Sequence, residues 1–411
     1  MAQKPTKSPN PTKRSTSDPR RSMNLERVLE TLRVDGPSSQ AGLARRTGLS
    51  AATINAIVRD LKDQGAAEIR PLNGREGVVT LIAGSGLFIA VEIAERSIHG
   101  VVYSFDRRLR VSDEVHDDSD LEAALRLIRS LVSKVGAELA EVDGIAIAMQ
   151  APVEKATGAI TSWCNSRMPG WAGVPLRESF QSALGVHVIV DNDANLAALA
   201  EWTWGVGRGV DDFLYVRSSG GVGGGLVIDG SIYRGGNGMA GDMGHVALEG
   251  TGEVCYCGSR GCLTTLVSER AIVNAVRTSP GAKRTLSEVI VAARKGDAAC
   301  QRVLAEAGDY LGRALANAAK VMAPSVIAVG GELGGAGPLV FDGLLSSIEL
   351  SNIRAGSSSP QFVPGILGPD AALLGAVAAI LTESGKGMSE LEPWMTDSRL
   401  AMVPFPAALA V

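Results

Sequence analysis

The chain has 411 residues, 45% of them hydrophobic and 20% charged, with a net charge of −4. That length exceeds one ordinary domain and leaves enough apolar side chains for two or three cores. No apolar run reaches the roughly 18 to 20 residues that cross a bilayer, and the first residues are polar and Pro-rich without an apolar signal core, so a soluble, cytoplasmic protein is expected. The charge is uneven: residues 1–82 carry 14 Lys and Arg against 8 Asp and Glu, whereas residues 83–411 carry 26 against 36. A front of +6 on a body of −10 suits a module that neutralises nucleic-acid phosphates, and equally suits a solvated face with a charged tail.

Residues 1–22 contain no Leu, Ile, Val or aromatic side chain and are rich in Lys, Arg, Ser, Thr and Pro. They cannot bury a core and read as a disordered basic tail. From Met23, Leu25, Val28, Leu29 and Leu32 fall at helical spacing, closed by Asp35-Gly36-Pro37. A second helix is expected from about Ser39 to Arg46, then a turn at Thr47-Gly48-Leu49, then a third helix capped by Ser50 and running through Asp63. This is helix-turn-helix spacing, with Leu43, Ala44, Leu49, Ile54, Ile57, Val58 and Leu61 as its core. Gln40, Ser50, Ala51, Thr53, Asn55 and Arg59 are then candidate contacts to double-stranded DNA. Two strands around the loop Pro71-Leu72-Asn73-Gly74-Arg75-Glu76-Gly77 form a wing, with Arg75 at its tip. A bare three-helix unit also serves protein interaction; the wing and the basic tail favour DNA.

Beyond Gly84-Ser85-Gly86 the pattern becomes α/β. Strands are expected at Leu87 to Glu92 and His99 to Phe105, a helix from Leu121 to Leu139, strands at Gly144 to Met149 and Gly185 to Val190, and a helix from Asn195 to Trp204. Strands at Phe213 to Arg217 and Gly224 to Asp229 follow. Helices at Leu286 to Ala293, Ala298 to Ala305 and Asp309 to Met322 lead to a strand at Val326 to Val329 and a last helix at Ala371 to Thr382. Strands and helices alternating twice predict two α/β lobes with a cleft between them. The expected organisation is a tail (1–22), a winged helix-turn-helix (23–82), a two-lobed body (83–385) and a C-terminal tail without assignable period (386–411).

Between the second strand set and the later helices, His245, Cys255, Cys257 and Cys262 crowd together in a chain with four His and five Cys. One imidazole and three thiolates complete a tetrahedral zinc site with no position left for a reacting water, so the metal is expected to be structural. Free thiols that happen to cluster are the alternative; a disulfide is disfavoured because Cys164 and Cys300 stand alone and no signal peptide precedes them.

Taken in order, the winged helix, Asn192-Asp193-Ala194-Asn195, the run Gly220-Gly221-Val222-Gly223-Gly224-Gly225, Gly244-His245 and Cys255-x-Cys257-Gly-x-x-Gly-Cys262-Leu263 resemble the ROK family of repressors, open reading frames and sugar kinases. The resemblance covers residues ~23 to ~383. It implies an actin-like, two-lobed sugar-kinase fold, a sugar pocket in the cleft, a structural zinc beside it, and a homodimer or homotetramer. Kinases of the family lack the winged helix; repressors carry it and use the pocket as a sensor.

Several family positions are altered. Where the kinases have a first phosphate loop like Asp-x-Gly-Gly-Thr, this chain has Glu92-Ile93-Ala94-Glu95-Arg96. The Cβ of Ala94 and the carboxylate of Glu95 oppose phosphate approach, so ATP is not expected to bind. Gly220 to Gly225 keeps the second glycine run, which is otherwise a plain turn, as Gly330-Gly331 also is. Asp193 matches the base of the kinases and is otherwise a cap for the following helix. Asp242 stands one methylene short of the family's Glu, Thr264 replaces a second Glu, and Gln150-Ala151-Pro152 replaces a Pro-Gly turn. Asn165 and Trp171 resemble pocket positions, though a Trp there serves a core equally well. Asn165, Asn192, Asp193, Asp242 and His245 are therefore the candidate ligand residues. The effector they imply is an unusual sugar, a sugar phosphate, or none. The expected function is a DNA-binding regulator, a repressor of carbohydrate-use genes without catalysis; the alternative is a sugar kinase with an appended DNA-binding domain.

Overall fold

The computed structural model describes residues 24–25, 27–29, 31–32, 37–63, 67–72, 76–81, 86–105, 107–116, 119–277, 285–351, 360–384, 391 and 393–396. They form two compact units, one within Met1–Ala83 and the other within Gly84–Lys386 and Glu390–Val411. No described helix is long and apolar enough to cross a membrane.

In the first unit, helical residues in 24–32 (α1) precede a short strand β1 (Ser38–Ser39), helices α2 (Gln40–Thr47) and α3 (Ala51–Asp63), and strands β2 (Ala67–Leu72) and β3 (Glu76–Leu81). Ser39 caps α2 by accepting from Gly42 N at 3.1 Å, and Gly48 ends it at φ +67°. Ser50 caps α3 through Thr53 N at 3.1 Å. The helical spacing of the apolar residues then closes one core: Val28, Leu29, Leu32, Leu43, Ile54, Ile57, Val58 and Leu61 are buried, joined by Ala67 and Val79 of the antiparallel wing. This is a winged helix-turn-helix.

The second unit contains two five-stranded sheets with one topology. The first is built from β4 (Leu87–Ile93), β5 (Ser97–Ser104), β6 (Leu109–His116), β7 (Val142–Met149) and β8 (Val188–Asn192), in the order β6-β5-β4-β7-β8. The second uses β9 (Phe213–Ser218), β10 (Val222–Ile228), β11 (Ser231–Ile232), β12 (Val326–Gly330) and β13 (Gln361–Pro364), in the order β11-β10-β9-β12-β13. In each, the first three strands in sequence are antiparallel neighbours and the last two add in parallel, as helical crossovers require. Helices α4 (Leu121–Lys134) and α5 (Leu176–Leu184) cover the first sheet, closing a core around Ile89, Val91, Ile128, Ile147, Trp171 and Phe180.

Helix α6 (Asp193–Trp204) leaves the first sheet and packs on β9 and β10 of the second. It is mostly apolar with no polar face, its acids Asp193 and Glu201 being buried with its alanines, as suits a helix wedged between layers. The short α7 (Thr264–Val267), then α8 (Glu269–Val276), α9 (Leu286–Arg294), α10 (Ala298–Met322), α11 (Gly331–Gly334) and α12 (Pro338–Leu350) build the second lobe, and α13 (Ala371–Glu383) returns against α6, β4 and β7.

Three expectations are corrected. Ala298 to Met322 is one helix, not two: Gly308, inside it, lets the backbone of α12 approach so closely that a Cβ there would strike Val340 O. The helix expected to reach Leu139 ends at Lys134. Strands β6 and β13 and helix α12 are not among the expected elements, although Leu109, Val111 and Val115 alternate along β6 and Phe341, Leu344, Leu345 and Ile348 stand at helical spacing in α12; only the four-residue β13 is too short to show a period. The tail after 385, without period, nonetheless contributes Trp394, edge-on to Phe105 at 5.2 Å, and the fully buried Met395.

Candidate functional site

In the first unit, Ala51, Ala52, Asn55 and Arg59 lie exposed along one face of α3, while Ile54, Ile57 and Val58 fix its other face to the core. Ser50 is exposed, Gln40 and Thr53 are half-buried, and the Thr53 hydroxyl is tied to that of Ser50 at 2.8 Å. A second helix held this way presents its N-terminal half to a groove. Arg45 and Arg46 are exposed on α2. Arg75 lies outside the described residues.

In the body, the chain from Met243 to Cys262 folds back on itself through bridges Ala247 to Cys262 and Val254 to Arg260. Gly258 and Gly261 hold φ of +90° and +59°, backbone that side chains resist, and so turn the thiols inward. His245, Cys255, Cys257 and Cys262 bring their ligand atoms within 4.8 Å of one another. Cys257 Sγ and Cys262 Sγ are 3.7 Å apart, and Cys255 Sγ is 3.5 Å from His245 Nδ1. Tetrahedral zinc with Zn–S of ~2.3 Å and Zn–N of ~2.0 Å has edges of about 3.8 and about 3.5 Å, so these two pairs already stand at the required spacing. Burial, with the charge of Arg167 adding to it, pushes His245 down to about 4, which leaves a neutral imidazole able to ligate at pH 7. The cluster is consistent with a structural zinc site, with all four positions filled by the protein.

Beside it opens a cleft between the two sheets, lined from both lobes. Asn192, Asp193 and Asn195 enter from the end of β8 and the start of α6; Arg217 from β9; Val222 and Gly223 from β10; Asp242 and His245 from the metal loop; and Gln150, Trp163 and Arg167 from loops of the first lobe. Asn192, not Asp193, caps α6: its Oδ1 accepts from Ala194 N at 3.0 Å and Asn195 N at 3.3 Å. Asp193 Oδ1 also accepts from Ala194 N, at 2.9 Å, which leaves its Oδ2 for another partner. Arg217 reaches from the second lobe to donate to Asp193 Oδ2 and, at 2.6 Å, to Glu92 Oε1. All three are nearly buried, with side-chain exposures of 8% for Arg217, 9% for Asp193 and 14% for Glu92. Burial raises the Asp193 carboxyl above its ordinary value, with Arg217 opposing that rise and Glu92 reinforcing it. Arg217 Nε and Asn195 Oδ1 are buried in the cleft wall without a protein partner. Asp242 makes no side-chain cap bond, and burial pushes its carboxyl up to about 6.

Neither half of the altered phosphate loop is idle. Ala94 N donates to Ser97 O at 2.9 Å in the β4–β5 turn, and Glu95 accepts from Arg167, at 2.7 Å from Nε. The glycine run is only partly a loop: Gly223 to Gly225 lie within β10, where a Cβ on Gly223 would stand 3.0 Å from that of Ala194 and one on Gly225 would strike Ala198. Those glycines let α6 lie flat on the sheet.

Of the expected ligand residues, Asn192, Asp193, Asp242 and His245 line the cleft. Asn165 does not; its Oδ1 is buried without a partner outside the lining. Trp171 is core, stacked on Phe180 at 6.1 Å, its Nε1 donating to Ser119 Oγ at 3.1 Å. Arg217, Arg167, Trp163 and Tyr256 were missed. A buried arginine in the middle of an apolar strand, Phe-Leu-Tyr-Val-Arg-Ser, is the one local signal that points to any of them, because such a charge needs partners.

Comparison with known proteins agrees with this architecture. The pattern of winged helix-turn-helix DNA-binding domains matches residues 24–66. A xylose repressor of Bacillus subtilis (strain 168) is 25% identical over 369 residues, 87% of this chain and 95% of that protein. A glucokinase of Halalkalibacterium halodurans is 34% identical over 251 residues, 57% of this chain and 75% of that one. Among solved structures, a ROK family transcriptional regulator, a homolog of the E. coli MLC protein, superposes with a TM-score of 0.73 at 22% identity, over 90% of this chain and all of that one, a likeness of fold. The ROK family pattern itself matches residues 88–383, from the first strand of the body to its last helix, and the chain therefore belongs to the ROK family.

Proposed function

We propose that this ROK protein is a transcriptional regulator, a repressor of carbohydrate-use genes, that holds operator DNA through α3 and its wing and uses the cleft as a sugar sensor without transferring phosphate. The observation that carries this reading is Arg217. A base for phosphoryl transfer must accept the proton of a substrate hydroxyl. Asp193, the carboxylate in that place, is instead held by a buried guanidinium that also binds Glu92. Freeing Asp193 from a buried pair costs about 3 kcal/mol or more, over a hundredfold in rate. Glu95, paired with Arg167, adds a second carboxylate where phosphate would approach.

Sensing needs only hydrogen bonds, and the cleft supplies them: Asp242 as acceptor, the unmatched Asn195 Oδ1 and Arg217 Nε, and aromatic faces at Trp163 and Tyr256. A homodimer would set two recognition helices one or two DNA turns apart, and an effector would act by binding its DNA-bound and free states unequally. The named relatives make D-xylose and D-glucose the first effectors to try. The kinase reading draws on the 34% identity to a glucokinase.

A gel shift with the region upstream of its own gene tests the first claim: the full chain retards the fragment, with affinity falling steeply with salt, and deleting residues 1–82 abolishes retardation. ATP turnover with a panel of hexoses, N-acetylhexosamines and pentoses tests the second, with no ADP released above background. Sugar-dependent ADP release that is lost in Asp193→Ala would put the kinase first.

A further inference from the structure

Tyr256 sits between two of the metal-site thiols, Cys255 and Cys257, yet its ring lines the ligand cleft. Its hydroxyl is 3.0 Å from His245 Nε2, while His245 Nδ1 faces Cys255 Sγ at 3.5 Å. The two imidazole nitrogens thus have separate tasks. With Nδ1 turned to the metal cluster, the ring proton belongs on Nε2 and is donated to the Tyr256 oxygen. The other side of Tyr256 meets the cleft: the Arg167 guanidinium lies 4.7 Å from the ring centroid, and Arg167 holds Glu95. Trp163 completes the group, edge-on to His245 at 4.6 Å and tilted over Tyr256 at 5.7 Å.

We propose that Tyr256 is a positioning residue that joins the metal cluster to the cleft wall: its hydroxyl fixes the His245 ring for metal binding, and its ring sets where Trp163 and Arg167 stand. A partner of this kind contributes about 10- to 100-fold to metal affinity without touching the ion. The consequence is reciprocal. If zinc changes the affinity of a molecule that binds the shelf formed by Trp163, Tyr256 and Arg167, then that molecule changes zinc affinity by the same factor. The proposal rests on the zinc assignment and not on the sugar-sensing reading, so the two fail separately.

The test uses the full chain and zinc alone. Tyr256→Phe keeps the ring and its packing and removes only the hydroxyl. Chelator competition is expected to give one zinc per chain in both proteins, with affinity at least tenfold lower in the variant. Trp163 supplies the second readout, isolated by subtracting the emission of a Trp163→Phe protein. Zinc removal is expected to shift Trp163 emission in the parent chain, and Tyr256→Phe with saturating zinc is expected to show part of that shift already. Tyr256→Leu, which removes the ring as well, should displace Trp163 emission further. Unchanged zinc affinity in Tyr256→Phe, or Trp163 emission indifferent to zinc in the parent chain, overturns the coupling.

Discussion

Arg217→Met would remove the guanidinium that spans the cleft while keeping a side chain of similar length. Two carboxylates, on Glu92 and Asp193, would then face each other at 14% and 9% exposure with no counter-ion. Breaking a buried ion pair by deleting one partner costs about 3–5 kcal/mol. For a body of this size a kilocalorie corresponds to about 2 °C, so the main thermal transition should fall by ~6–10 °C at pH 8. The deficit should depend on pH in a definite direction. Burial already raises the Asp193 carboxyl, and loss of Arg217 removes the chief influence holding it down. A carboxyl with a raised folded-state pKa binds more protons in the native state than in the unfolded one, so its stabilising contribution is complete at low pH and is lost as pH climbs through the folded value. The variant should therefore lie furthest below the parent at pH 8, and the gap should narrow as pH falls. Adding Glu92→Gln and Asp193→Asn to Arg217→Met should recover most of the loss at pH 8, because no buried charge remains. Circular dichroism melts of the three proteins across pH 5 to 8 measure all of this. A deficit below about 1 °C, or one that does not change with pH, would refute the claim that Arg217 is the counter-ion of the cleft.

Cys257→Ser removes one of four donors, so metal analysis should find less than one zinc per chain and the melt of the body should drop, since a closed structural site contributes its binding energy to folding. Asp242→Asn should raise the melting temperature at pH 7.5 and leave it unchanged near pH 4: burial pushes this carboxyl up to about 6 from 3.8, a penalty of at most ~3 kcal/mol that the native body incurs as pH rises through that window. A melting temperature equal to the parent's at both pH values would show that Asp242 is solvated. Arg59→Ala, on the exposed face of α3, should weaken operator binding in the gel shift and lower the slope of log K against log salt by about 0.9 if Arg59 neutralises one phosphate.

What the sequence disclosed and what it withheld divide by sequence separation. Ser39 and Ser50, Gly48, the apolar spacing of α3, and the cysteines five and two positions apart all act on neighbours, and each can be read where it stands. The glycine run misleads because two causes produce one pattern: glycines are required where backbone must approach a phosphate and where a helix must approach a strand, and Gly225 answers to Ala198 rather than to a ligand. Gly308 likewise answers to α12, some thirty residues on. Arg217 is the sharpest case. Its partners stand 24 residues before it, at Asp193, and on the first strand of the other lobe, at Glu92. Neither spacing has a period, and nothing in Phe213–Ser218 says which carboxylates will meet it. Yet the altered loop already carried half of the answer. A glutamate at 92 was read only as a lost phosphate contact, when an acid that is mostly buried also demands a cation. A buried acid on one lobe and a buried arginine on the other are each unfavourable alone and compatible together, so the informative question about an altered position is which charge faces it from the other lobe.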